Sequence, residues 1–139
     1  MPKFGKVSIS KLLTCDVRLQ ALAEEVVGYH DCSCIEGWRN KETQNKYFDE
    51  GRSKVRWPNG KHNNTTAEGL PCSLAIDLVP YPNLDWNDRE RFYYFAGVVL
   101  GIARGLSIPI RWGGDWDMDH NFKDQKFDDL VHFEIKGKK

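Results

Sequence analysis

Two short apolar runs, each carrying an ionisable side chain at its centre, set the terms on which this chain can fold. Leu74-Ala75-Ile76-Asp77-Leu78-Val79 and Leu130-Val131-His132-Phe133-Glu134-Ile135 both have the length and apolar content of core strands. A carboxylate inside such a strand costs several kcal/mol unless it is paired or bound to a cation. The fold must therefore bring compensating charge to Asp77. His132 admits two readings: a buried imidazole satisfied by hydrogen bonds behind the solvated Asp128-Asp129 pair, or a metal ligand. Residues three apart in an unbroken strand face opposite ways, so Asp129 and His132 share a site only if the chain bends where it enters the strand.

The remaining pattern supplies a scaffold. Ser8 or Ser10 is expected to cap one helix through Leu12, Leu13, Val17, Leu19, Leu22, Ala23, Val26 and Val27, closing near Gly28. His30 to Ile35 reads as a strand, and Asn40 caps a helix over Lys41 to Glu50 that leaves Arg39 at its N-terminal edge. A guanidinium there is either a surface ion-pair partner or a fixed cation for a carboxylate or developing oxyanion. Asn87 or Asp88 opens a helix through Phe92 to Ala103, and Ile108 to Trp112 is a further strand before Gly113-Gly114. At 139 residues one domain over the whole chain is expected, large enough for a core without staples. Cys15, Cys32, Cys34 and Cys72 lack the spacing of a zinc knuckle, so reduced, mostly buried thiols are expected. The tail lysines 136, 138 and 139 read as a frayed end.

Charge excludes some partners. Twenty basic and twenty acidic side chains cancel, so no global field draws in nucleic acid or an anionic membrane. Gly51 to His62, basic and turn-rich around Trp57, suggests single-stranded nucleic acid only when taken alone. The apolar stretch Phe92 to Ala103 is too short for a bilayer. The first residues lead into no apolar signal region, so synthesis in the cytosol is expected.

His62, Asp77 and His132 come from three separate places, and two imidazoles with a carboxylate make a catalytic zinc set with a fourth position left for water. Zinc would neutralise Asp77 and give both imidazoles a reason to be deprotonated. Asp129 is then the expected base, taking a proton from the attacking water and passing it to a leaving amine; Asp128 and Glu134 are its rivals. Asp115, Asp117 and Asp119 alternate as in hard-cation loops, a partial match to a calcium site beside the plainer reading of a solvated acidic loop.

Trp38-Arg39 with Glu42 and Gln44, Gly51-Arg52-Ser53-Lys54, Lys61-His62, Ser73 to Pro80 and Asp129 to Glu134 together resemble the zinc D-alanyl-D-alanine carboxypeptidase family, in its phage-endolysin branch of L-alanyl-D-glutamate peptidases. The likeness runs from about Leu12 to Ile135. It implies an α+β fold, a small antiparallel sheet flanked by helices as in the hedgehog signalling domain. It also implies zinc on His62, Asp77 and His132, a catalytic acid at Asp129, an arginine at Arg39 for substrate or oxyanion, and calcium at the acidic loop. The substrate implied is the peptide stem of peptidoglycan, met by a monomer in the periplasm after release from the host cytoplasm through a separate pore. Cleavage of the L-Ala-D-Glu bond is the leading expectation. D,D-carboxypeptidase activity on the same site, or a wall-binding module without metal, stands as the alternative. The gap of fifteen residues from His62 to Asp77 is longer than the family pattern and reads as a surface-loop insertion. His120, then His30, is the substitute for His62. The groove that selects the bond is expected around Trp57, Tyr81 and Trp116.

Overall fold

The computed structural model describes residues 1–137. Four strands, β1 (Cys32–Glu36), β2 (Ala75–Pro80), β3 (Ile110–Gly113) and β4 (Asp129–Ile135), form one antiparallel sheet in the order β1-β2-β4-β3. With the helices α1 (Lys6–Leu12), α2 (Val17–Tyr29), α3 (Lys41–Asp49) and α4 (Arg89–Gly105) this is an α+β fold.

Strand alternation divides the sheet into a packing face and a chemical face. Ile76 and Leu78 of β2, with Phe133 and Ile135 of β4, enter the core beside Leu19, Leu22, Val26, Phe95 and Val99 of α2 and α4. Phe95 and Phe133 meet edge to face at 6.4 Å, both fully buried. Asp77 and His132 pair directly across β2 and β4, so both stand on the opposite face. The apolar faces hold the strands together and leave the polar residues to be met from the other side.

The single N-terminal helix expected from the sequence is two helices. The chain leaves α1 after Leu12 because Thr14 and Asp16 exchange backbone hydrogen bonds with Ser73: Asp16 N donates to Ser73 O at 2.8 Å, and Ser73 N to Thr14 O at 2.9 Å. Asp16 then caps α2, accepting the amide of Arg18. Leu13 and Val17, read as apolar-face positions, are exposed. Ser8 is no cap; it is buried in α1 and its hydroxyl accepts the Cys34 amide at 3.0 Å. Asn40 does cap α3, through Thr43 N at 2.9 Å, and Asp88 caps α4. The four cysteines are free, three of them buried, and burial pushes the Cys15, Cys32 and Cys34 thiols up to about 12, where they are inert. Among the described residues no helix is long and apolar enough to cross a membrane. Lys136 is fastened through its amide to Pro109 O at 2.8 Å rather than frayed, whereas Lys138 and Lys139 lie outside the described residues.

Candidate metal centre and groove

Three elements bring two imidazoles and a carboxylate, a group that could hold a metal ion, to one point. His62 sits in a one-turn 3-10 helix, Lys61–Asn63. The gap between it and β2 is a hairpin closed on itself: Cys72 N donates to Asn64 O, Thr66 N to Leu70 O, and Gly69 turns at a φ of 84° that favours glycine. Beyond the hairpin Leu74 N returns to Lys61 O at 2.9 Å, which sets His62 beside β2.

His62 Nε2, His132 Nδ1 and Asp77 Oδ1 then make a nearly equilateral triangle, with sides of 3.3, 3.4 and 3.4 Å. Ligands at about 2.0–2.1 Å from a tetrahedral zinc lie about 3.3–3.4 Å apart. All three residues are buried, and Asp77 Oδ1 is a buried oxygen without a hydrogen-bond partner among the described residues. A buried carboxylate oxygen left bare next to two imidazole nitrogens is the mark of a cation site.

The outer contacts choose the tautomers. Gly37 O can only accept, so His62 Nδ1 donates to it at 2.7 Å and Nε2 turns its lone pair to the centre. No side chain fits at Gly37, where a Cβ would stand 2.4 Å from Lys11 O and Thr14 Oγ1. His132 Nε2 donates to Glu134 Oε1 at 2.8 Å, leaving Nδ1 to the centre. Glu134 is itself held by Arg111 Nη2 at 2.8 Å and faces Lys61 Nζ at 3.9 Å. Burial alone would raise the Asp77 carboxyl, but the two imidazoles hold it far below its ordinary value. Burial likewise opposes the charge on His132, yet Asp77 and Glu134 push it up to about 9.

Asp129 comes to the same side as His132 through a bend where the chain enters β4. Trp112 pairs with Phe133 and Gly113 with Asp129, so the three residues Leu130 to His132 bulge out of the β3–β4 register. Asp129 and His132 thereby line one groove, with Arg39, Trp116 and Phe127 among its walls. Its carboxyl is raised by burial first and then by the Asp77 charge, against the pull of His132, His62 and Arg39. The rival Asp128 is engaged by Arg89 of α4, and Glu134 is tied to His132.

Arg39 is locked in place: Nε donates to Glu36 at 3.0 Å, Nη1 to Gln44 at 3.0 Å, and Tyr47 lies 4.7 Å beneath. Two of its five N–H groups are so engaged, which leaves donors for a ligand. Gln44 Oε1 also accepts from Asn63 Nδ2, whose second contact is Arg39 O, so the turn carrying His62 and the arginine move as one unit. The sequence reading did not single out Asn63 or Arg111; their only signal was proximity in sequence to His62 and β3.

His120 and His30 take no part. His120 lines a separate cavity with Ile108 and Ile110, and His30 packs on Phe95 at 5.2 Å. Of the aromatics expected in the groove, Trp116 is there; Tyr81 is exposed elsewhere and Trp57 packs edge-on against Trp38, while Phe127 takes their place. The carboxylates of Asp115, Asp117 and Asp119 converge within 4.8 Å of one another on the loop after β3.

Comparison with known proteins agrees with this geometry. The family model for phage L-alanyl-D-glutamate peptidase matches residues 1–136. The L-alanyl-D-glutamate peptidase of Escherichia phage T5 is 29% identical over 127 residues, 88% of each chain. The crystal structure of the Serratia marcescens L-Ala D-Glu endopeptidase ChiX shares the fold, with a TM-score of 0.71 at 20% identity over 97% of this chain and 91% of that one. The chain belongs to the phage L-alanyl-D-glutamate peptidase family.

Proposed function

We propose that this protein is a zinc peptidase of the peptidoglycan stem peptide, working as a single-domain monomer and cutting the L-alanyl–D-glutamate bond. His62, Asp77 and His132 hold the metal in this reading. The observation that carries it is the bare Asp77 oxygen at 3.4 Å from a nitrogen of each histidine. Zinc bound there supplies Lewis acidity toward the scissile carbonyl and activates water. Asp129 takes the proton of the attacking water and returns it to the leaving amine, a task suited to a carboxyl held above its ordinary value. Arg39, fixed by Glu36 and Gln44, stabilises the oxyanion. Glu134 keeps the His132 ring in register. The same reading gives Asp115, Asp117 and Asp119 to a calcium ion, supported by the convergence of their carboxylates. It places the action on the wall in the periplasm, after release through a separate pore.

The test is digestion of sacculi by zinc-loaded protein, with the products read by mass spectrometry. Peptides beginning at D-glutamate are expected. Loss of terminal D-alanine alone would identify a D,D-carboxypeptidase, and the absence of both stoichiometric zinc and cleavage would identify a wall-binding module without metal.

Gly113 carries a second expectation. A Cβ there would stand 2.2 Å from Asp129 O, so Gly113→Ala must displace the proposed base. Zinc content should hold while kcat falls by about 10²-fold, the cost of an ångström-scale misplacement. An unchanged kcat would show that the base tolerates the shift.

A further inference from the structure

The groove is cationic although the chain's charges cancel. Arg39, Arg52, Lys54, Lys61 and Arg111 line it against the acids Asp129 and Glu134. Four of the five cations are committed: Arg39 to Glu36, Arg52 to Glu50 at 3.6 Å, Arg111 to Glu134, and Lys61 to the carbonyls of Ile135 and Gly137 at 2.5 and 2.6 Å. Among the described residues Lys54 has no carboxylate within ion-pair distance.

Lys54 is nonetheless positioned. Its Nζ stands 4.9 Å from the centre of the Phe127 ring. Phe127 stacks on Trp116, centroids 6.5 Å apart and planes 10° apart, and Trp116 Nε1 donates to Phe127 O at 2.9 Å. The Trp116 ring lies 5.4 Å from that of His132. Two stacked rings therefore space an uncommitted ammonium from the metal centre along one wall of the groove. A cation already resting on an aromatic face loses little freedom when an anion arrives.

We propose that Lys54 binds the free carboxylate of the glutamyl residue whose amide bond is cut, and so selects peptides that carry it. The inference rests on the peptidase reading above. A glutamyl residue joined to its neighbours through its nitrogen and one carboxyl keeps the other carboxyl free, so such a substrate bears a negative charge on the very residue that supplies the leaving nitrogen. An ammonium meeting that charge makes a charge-assisted contact that an amide of the same shape cannot match, and so discriminates against it.

The probes are a stem tripeptide beginning L-Ala-D-Glu with this carboxylate free, and the same peptide with it amidated. Calorimetry on zinc-loaded full-length Asp129→Asn protein measures binding without turnover. The free acid should bind about tenfold more tightly than the amide, the discrimination that about 1.4 kcal/mol gives. Adding Lys54→Met should bring the ratio near one, and Lys54→Arg should keep most of it. An unchanged ratio in the methionine variant, equal binding by the protein with Lys54 intact, or binding of neither peptide overturns the proposal. Cleavage separates the two readings: with Asp129 present, hydrolysis of both peptides at equal kcat/KM removes the carboxylate subsite and leaves the peptidase. Hydrolysis of neither, with the binding ratio intact, removes the peptidase and leaves the subsite.

Discussion

Asp77→Asn is expected to fold and to lose both zinc and activity. An amide can present an oxygen to the metal but not a charge, and charge is what two neutral imidazoles lack toward a divalent ion. Zinc per chain should fall from about one to near zero, and cleavage by at least about 10³-fold, because the several kcal/mol of transition-state stabilisation supplied by the metal goes with it. Thermal unfolding gives a readout free of activity. Zinc at a hundred times its dissociation constant adds about 2.7 kcal/mol to the wild-type protein, worth roughly 10 °C in Tm for a chain of this size, and this increment should vanish in the variant.

The metal-free state has its own pH signature. The His132 pKa, raised to about 9, contributes stability that is full below its unfolded value of about 6.5 and is lost as pH rises through about 9. The lowered Asp77 pKa contributes stability present above its unfolded value and lost as pH falls through the folded one. Zinc must displace the His132 proton, so wild-type zinc affinity should climb about tenfold per pH unit from about 7 toward 9. One zinc per chain and a wild-type rate in Asp77→Asn would end the three-ligand reading.

Much of this site was legible because buried charge is conspicuous in an apolar run. Asp77 and His132 stood out in their strands, and strand alternation alone sends them to the face away from Ile76 and Phe133. The distance along the chain from His62 to Asp77 was the obscure part. A hairpin that satisfies its own backbone absorbs that length and returns Leu74 to Lys61, and no residue pattern announces such a closure. The break between α1 and α2 was hidden for the opposite reason: Leu13 and Val17 continue the apolar spacing, while the partner that unwinds the turn, Ser73, lies far along the chain. Glu134 was legible as an acid beside His132 but not in its task, which depends on Arg111 meeting its second oxygen. Groove aromatics were the least legible, since Trp57, Tyr81 and Phe127 differ in what they pack on and not in what they are.

Asp129→Asn should keep the zinc and lose the chemistry. The substitution preserves shape and removes only the capacity to accept a proton and hand it on, a contribution of about 10²–10⁴-fold to kcat. Binding should change little, because Arg39, the metal ligands and the groove wall are untouched. The neighbouring acids give the comparison its force. Asp128 faces Arg89 at the foot of α4, so Asp128→Asn removes a surface ion pair worth under about 1 kcal/mol and should leave kcat where it was. Glu134→Gln instead leaves the His132 Nε2 proton without its carboxylate, and should weaken zinc binding by about 10–100-fold before it affects turnover at saturating metal. The three variants thus separate a base, a bystander and a holder of the ligand by two measurements, zinc affinity and kcat. If Asp129→Asn lost its metal, the residue would be a fourth ligand; if it turned over at the wild-type rate, the proton would have to travel through Glu134, and the bulge that carries Asp129 into the groove would be left without a chemical purpose.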